Sequence, residues 1–241
     1  MRIRVIDLET TGIHPPAQIC ELGYCDVVPY RNSAAGEIEW RIQDGHQTLV
    51  NPGVPIPPET SAIHHIVDED VINSPSFDYF IEAIRQSDPG RELLFCAHNC
   101  KFEQAWLTES VVGKARWICT YKCALRVWPD APNFQNQTLR YYLKPEGLDR
   151  NVASVSHRAY PDAYVTAHIL RELLRYASVD QLVQWTNEPA LLVRCRFGKH
   201  KGKLWTEIES SYLEWVLRAD FEEDVVFTAS YVLQKRRASE P

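Results

Sequence analysis

A chain of 241 residues with 45% apolar residues holds one large domain, or a domain plus a small appendage, with a sizeable core. A net charge of −6 does not indicate a broad basic face gripping nucleic acid along its length, and no run of about 18 apolar residues is present to span a membrane. Seven cysteines, an odd and scattered number without paired CxxC spacing, argue against a disulfide framework or zinc site and for a reducing, cytoplasmic setting. Met1 leads straight into a strand pattern, so no signal peptide is expected. The charge is uneven. Residues 191–241 hold nine Lys/Arg against eight Asp/Glu, and residues 1–190 hold 17 against 24, a deficit that bound metal would reduce.

Arg2 to Leu8 reads as a strand, rich in β-branched residues and free of turn signals until Thr10-Thr11-Gly12. Side chains two apart on a strand share a face, so Asp7 and Glu9 project side by side among Val5, Ile6 and Leu8. Two carboxylates in apolar surroundings repel each other and lose hydration, and a hard divalent cation relieves both costs. Taken alone, an Asp at a strand end with a Glu in the turn accounts for the pair equally well.

Ile19 to Val28, Glu37 to Ile42 and His46 to Val50 read as three further strands, so the expected class is α/β with a mixed sheet. Four prolines keep residues 51–58 out of a helix, and Glu59 to Ile66 can start one. Phe77 to Ser87 has helical spacing, and Leu93 to Ala97 is a buried strand bounded by Pro89-Gly90 and Asn99. Asn99 is a good N-cap for the next helix, on which Glu103 and Leu107 share a face; a first-turn Glu facing solvent is the alternative. A strand over 117–120, a helix over 121–128, a loop over 129–137 and a short helix over 138–143 follow. Pro161 suits a first helical turn, and Asp162, Val165, Ile169, Leu173 and Tyr176 recur on one face, with His157 in the loop before it. Ser178 and Gln181 form a capping box for a short helix ending before Asn187-Glu188-Pro189, which is taken as a boundary. The expected layout is a domain over 1–177, a linker helix over 178–189 and a small basic α+β module over 190–241. In that module Arg194, Arg196, Lys199, Lys201 and Lys203 line a turn bracketed by two glycines, suited to a phosphate backbone or simply to solvent. Residues 212–217 and 221–235 read as two helices.

The inward acids are then Asp7, Glu9, Glu103 and Asp162. Gathered at one sheet edge they would hold two divalent ions for an in-line phosphoryl displacement. Histidine changes charge near neutrality, which suits His157 to deprotonate an attacking water.

The pattern resembles the DEDDh 3′–5′ exonucleases of the DnaQ-like, ribonuclease H-like superfamily. Asp7-x-Glu9-Thr10-Thr11-Gly12 matches its first motif, His98-Asn99-x-x-Phe102-Glu103 its second and His157-x-Ala159-x-x-Asp162 its third. Runs at Trp117 to Thr120 and Leu125 to Pro129, with the tail Phe197-Gly198-Lys199-x-Lys201-Gly202-Lys203, narrow the likeness to a bacterial branch. The resemblance implies a ribonuclease H-like mixed sheet flanked by helices. It implies removal of 5′-mononucleotides from DNA 3′ ends, single- or double-stranded, with two Mg²⁺ ions or Mn²⁺ in their place. Asp7, Glu9, Glu103 and Asp162 would be metal ligands and His157 the base. Leu8, Thr10, Thr11, Glu59, His64, Asn99 and Phe102 would contact substrate, and Ile13 and His14 would pry a terminal base pair apart. Glu103 departs from the family, which has Asp there, and altered metal preference is the expected consequence. A 3′–5′ exoribonuclease, a non-catalytic nucleic-acid- or polymerase-binding subunit and a phosphoesterase on free nucleotides are the rivals, with a homodimer as an option.

Overall fold

The chain is represented by a computed structural model that describes residues 1–14, 16–31, 38–43, 45–85 and 92–239. Glu37, Gln86, Ser87, Pro89 and Gly90, which end or bound predicted elements, and the last two residues of the tail lie outside these.

The strands come first. β1 (Ile3–Thr10), β2 (Ile19–Arg31), β3 (Ile38–Ile42) and β4 (His46–Leu49) form an antiparallel group in which β2 pairs with the other three. Then come α1 (Pro58–His64), α2 (Asp68–Val71), a 3₁₀ turn (Phe77–Phe80) and α3 (Ile81–Arg85). Pro57 and Pro58 open α1, since a first turn needs no donor there. β5 (Leu93–Ala97) adds parallel to β1, and after α4 (Lys101–Trp106) and α5 (Glu109–Val112), β6 (Ala115–Cys119) adds parallel to β5. The sheet order is β3-β2-β1-β5-β6, with β4 also on β2. The chain continues through α6 (Thr120–Val127), α7 (Asn136–Leu143), α8 (Arg150–Ala153), α9 (Ala159–Leu173) and α10 (Val179–Asn187). It ends in α11 (Ser210–Val216) and α12 (Glu223–Ser239). No described helix is long and apolar enough to cross a membrane.

Each face of the sheet carries its own core. On β1, Ile3 and Val5 pack with Val165, Ile169 and Leu173 of α9, while Ile6 and Leu8 pack with Phe95 and Ile84 on the other face. Alternation along β1 therefore puts Asp7 and Glu9 on the α9 side, continuing the apolar row of Ile3 and Val5. The register shifts between Glu9 and Thr10, a bulge at the end of the strand that carries both acids. Gly23 of β2 lies opposite Asp7, and a Cβ there would stand 2.1 Å from Tyr160 N and 2.2 Å from Ala159 C. Only glycine lets the start of α9 lie so close to the sheet beside Asp7.

Several sequence expectations need correction. Asn99 does not cap α4: it sits at φ +61, and Cys100 takes the cap position. An Asn side chain tolerates this left-handed backbone, so the residue turns the chain out of β5 instead. Tyr176 lies beyond α9 and is 67% exposed, off the buried face. α7 begins at Asn136, inside the expected loop. The capping box at Ser178 is half formed: its Oγ accepts from Gln181 N, while the Gln181 side chain donates to Gln184. The expected hairpin of the tail forms only in short: beside the antiparallel bridge of Arg194 with Leu204, Cys195 N donates to Lys203 O at 2.9 Å and Trp205 N to Val193 O at 3.0 Å, with no longer strands among the described residues.

Residues 190–239 form a cluster around Trp205, Ile208, Leu213 and Val216 that also takes in Leu125 of α6. The segment before it is pinned to α6. Lys122 Nζ donates to the carbonyls of Thr186 and Glu188 at 2.7 and 2.6 Å, and Arg126 pairs with Glu188 at 2.6 Å. All seven cysteines are buried free thiols, small core residues as their spread suggests.

Candidate active site

Asp7 and Glu9 arrive on the last turns of the β1 pleat, Glu103 from the first turn of α4 and Asp162 from the first turn of α9. Asp7, Glu9 and Asp162 each offer an oxygen within 4.8 Å of the others. Glu103 is not in that group of three, but it lines the same cavity of about 670 Å³, and its Oε2 is buried without a hydrogen-bond donor. His157, Leu8, Ile13, Asn99 and Phe102 line this cavity as well.

The remaining predicted contacts fall elsewhere. Thr10 Oγ1 donates to Gly12 O at 2.7 Å and Thr11 Oγ1 accepts from Gln18 N at 2.9 Å, so both hydroxyls close the loop after β1. His14 and Glu59 are exposed outside the cavity lining. His64 is buried; its Nδ1 accepts from Ile66 N at 3.1 Å and its Nε2 lies 3.8 Å from Cys20 Sγ. Burial holds its imidazole below the usual value, so it acts as a neutral core group here.

Asp162 is held by two donors. The His157 backbone N–H reaches its Oδ2 at 2.7 Å, and Gln137 Nε2 its Oδ1 at 3.3 Å. His157 takes φ +58, a left-handed conformation that histidine adopts more readily than most residues, and its ring stays exposed. Asn136 Nδ2 bonds Thr166 Oγ1 at 2.7 Å, fixing the start of α7 on α9. These residues at the start of α7 are not marked by the sequence, because nothing local shows 135–137 facing α9.

Glu21 and Arg158 are barely marked there either. Glu21 lies opposite Glu9 on β2 and is fully buried. Its carboxylate accepts from Arg158 Nε at 3.0 and 3.1 Å, Ala159 N at 2.9 Å and Gln47 Nε2 at 2.7 Å. A buried charge survives only when paired and hydrogen-bonded in this way. The pair fixes residues 158–159, between His157 and Asp162. The one available signal was an acid inside the apolar run Ile19 to Leu22.

The acids are mutually strained. Asp7 is raised well above the ordinary carboxylate range, first by burial and then by the charges of Glu103, Glu9 and Asp162. Glu9 is pushed up to about 8 by burial, then by Asp162 and Glu21, with Arg158 opposing. Burial also takes Glu103 to about 8 and raises Asp162, the latter against its hydrogen bonds from Gln137 and His157. An all-oxygen donor set, with one buried oxygen lacking a donor, fits a hard divalent cation.

A stability test follows from these shifts. Unfolded Glu loses its proton near about 4.3, whereas folded Glu9 and Glu103 keep theirs to about 8. Between these values the folded state binds more protons, so stability falls as pH rises through the window and stays low above it. In a chelator, Tm is expected to drop between pH 5 and 8.5, and excess Mn²⁺ to restore more of it at the higher pH. Thermal shift scans at several pH values measure this; a metal effect independent of pH would contradict it.

Comparison with known proteins gives a consistent result. A family model described as Exonuclease matches residues 5–170. Exodeoxyribonuclease 10 of Escherichia coli (strain K12) is 30% identical over 219 residues, 89% of this chain and 90% of that protein. The solved structure of Exonuclease X in complex with 5′ overhanging duplex DNA superposes with a TM-score of 0.55 at 30% identity, covering 77% of this chain and 99% of that one. The nuclease domain of 3′hExo, a DEDDh family member bound to rAMP, is 17% identical with a TM-score of 0.52, covering 72% of this chain and 92% of that one, and so shares the fold.

Proposed function

Because the chain belongs to the exonuclease family, as a 3′–5′ exonuclease of the DEDDh type and divalent-metal dependent like that family, we propose that it removes 5′-mononucleotides from DNA 3′ ends with Mg²⁺. The convergence of Asp7, Glu9 and Asp162 to within 4.8 Å beside Glu103 carries the reading. The choice of DNA rests on the relative named an exodeoxyribonuclease and on the solved neighbour bound to duplex DNA.

Asp7, Glu9, Glu103 and Asp162 would hold two ions, which when bound stabilise the attacking and leaving oxygens of an in-line displacement. His157 takes the proton of the attacking water on a ring nitrogen; its exposed ring meets water freely, while its backbone N–H stays on Asp162. Arg158, held by Glu21, fixes the backbone next to the residue that carries that ring. Leu8 and Phe102 supply apolar walls for the terminal base. Ile13, 70% exposed at the cavity rim, would wedge beneath a terminal pair. Residues 190–241 act as an attached module rather than as part of the chemistry.

The test is a time course on end-labelled single-stranded DNA, 3′-recessed duplex and matched RNA, with Mg²⁺, Mn²⁺ or chelator. Expected is stepwise release of 5′-mononucleotides from both DNA substrates, none in chelator, and RNA slower by at least about tenfold, the scale of one lost site interaction. Faster cleavage of RNA would make the chain an exoribonuclease on the same carboxylates. Absence of any mononucleotide would leave the non-catalytic reading.

A further inference from the structure

The acidic cavity continues past the carboxylates. A second cavity of about 480 Å³ shares His98, Asn99, Gln135 and Asn136 with it and runs on to Tyr121, Phe134 and Arg196. Its far wall thus comes from residues 190–241, beyond the end of the family match at residue 170. Building on the exonuclease reading above, we propose that this second cavity is a subsite for the strand upstream of the scissile phosphate, in which Arg196 binds an internucleotide phosphate.

Charge is the first reason. Four carboxylates repel a polyanion, so a strand entering here needs a compensating cation along its path. Among the described residues lining the second cavity, Arg196 is the one full positive charge. His98 is not a second, since burial pushes its imidazole down to about 4. Its Nε2–H donates to Phe134 O at 2.9 Å and its Nδ1 takes the Thr120 hydroxyl at 2.8 Å. His98 thereby ties the 134–136 segment to the end of β5 and leaves anion binding to the arginine.

Geometry is the second. Arg196 is exposed, and its Nη2 donates to Tyr121 Oη at 3.2 Å. That single bond orients the guanidinium over the cavity and leaves further N–H donors for a phosphate. Tyr121 and Phe134 stand edge to face with centroids 6.5 Å apart, presenting ring surface to a base on that phosphate. The other cations of the tail are placed differently. Arg194 Nη1 bonds Gly202 O at 2.9 Å, and Lys199 pairs with Glu209 at 3.0 Å. None of Arg194, Lys199, Lys201 and Lys203 lines either cavity. Of the five basic residues of the turn, the structure assigns the contact to Arg196.

Substrate length tests this in the full chain. A dinucleotide with a 5′-hydroxyl carries no phosphate beyond the scissile one, whereas an octamer reaches the second cavity. The octamer-to-dinucleotide ratio of kcat/KM is expected to fall about tenfold in Arg196→Ala, chiefly through KM, and less in Arg196→Lys, which keeps the charge but loses the fork. Salt dependence of octamer binding in Ca²⁺ should lose roughly one unit of slope in Arg196→Ala. Arg196→Gln retains a donor for Tyr121 without the charge, so it separates phosphate binding from a loosened tail and should lower the ratio as well. A ratio unmoved in both Arg196→Ala and Arg196→Gln overturns the subsite while the exonuclease reading stands. A wild-type chain that cleaves neither substrate overturns that reading and the subsite with it.

Discussion

Asp7→Asn is expected to lower turnover at least about 10³-fold while making the metal-free protein more stable. The two effects have one cause. Asp7 is a buried carboxylate whose charge is opposed by burial and by Glu103, Glu9 and Asp162 at once. Without a cation this repulsion is carried by the fold, and an amide of the same shape removes it. The gain should appear as a higher denaturation midpoint than wild type in chelator. The same change takes away a central oxygen donor of the proposed metal site. Loss of several kcal/mol of charge stabilisation in the transition state corresponds to about three powers of ten in rate. Asp162→Asn should lose activity similarly but gain less stability, because Gln137 and the His157 N–H already stabilise its charge. Chemical denaturation in chelator and single-turnover cleavage in Mg²⁺ measure the two quantities on one preparation. A variant that turns over normally, or one that is inactive because it is unfolded, would contradict the account.

How much of this the sequence revealed depends on the range over which each residue's environment is set. Asp7 and Glu9 were visible as a pair because strand alternation is local, and the row Ile3, Val5 fixes the face they share. Asp162 was visible because the apolar residues of α9 recur at helical steps around it. Their mutual approach was inferred from chemistry and is settled by Gly23, whose missing side chain lets α9 descend onto the sheet; no local pattern announces that role. The Glu21–Arg158 pair joins residues 137 apart in sequence, with each partner unremarkable in its own segment. Asn99 misled for a related reason. An Asn before a helix fits a cap and a left-handed turn equally, and only the path from β5 into α4 decides between them. His64 was expected to contact substrate by resemblance and still lies in the core, since a resemblance fixes position along the chain and not which way a ring faces.

His157→Ala and His157→Asn should each cost at least about 10²-fold in kcat, the usual contribution of a positioned general base. Their effect on metal binding should be small, and the backbone explains why. His157 supports Asp162 through its N–H, which either substitution retains. The left-handed φ of +58 is the complication: Ala accepts it at a cost, whereas Asn tolerates it well. A loss confined to Ala would therefore report a distorted loop, and an equal loss in both would report the missing imidazole. Mn²⁺-induced thermal shifts should match wild type in both variants, separating them from Asp7→Asn, in which the shift itself should collapse. Added imidazole offers a second discrimination, since a diffusible base restores part of the rate only where proton removal is what was lost. Activity within about threefold of wild type in the Asn variant would remove His157 from the chemistry and leave water deprotonation to the carboxylates beside it.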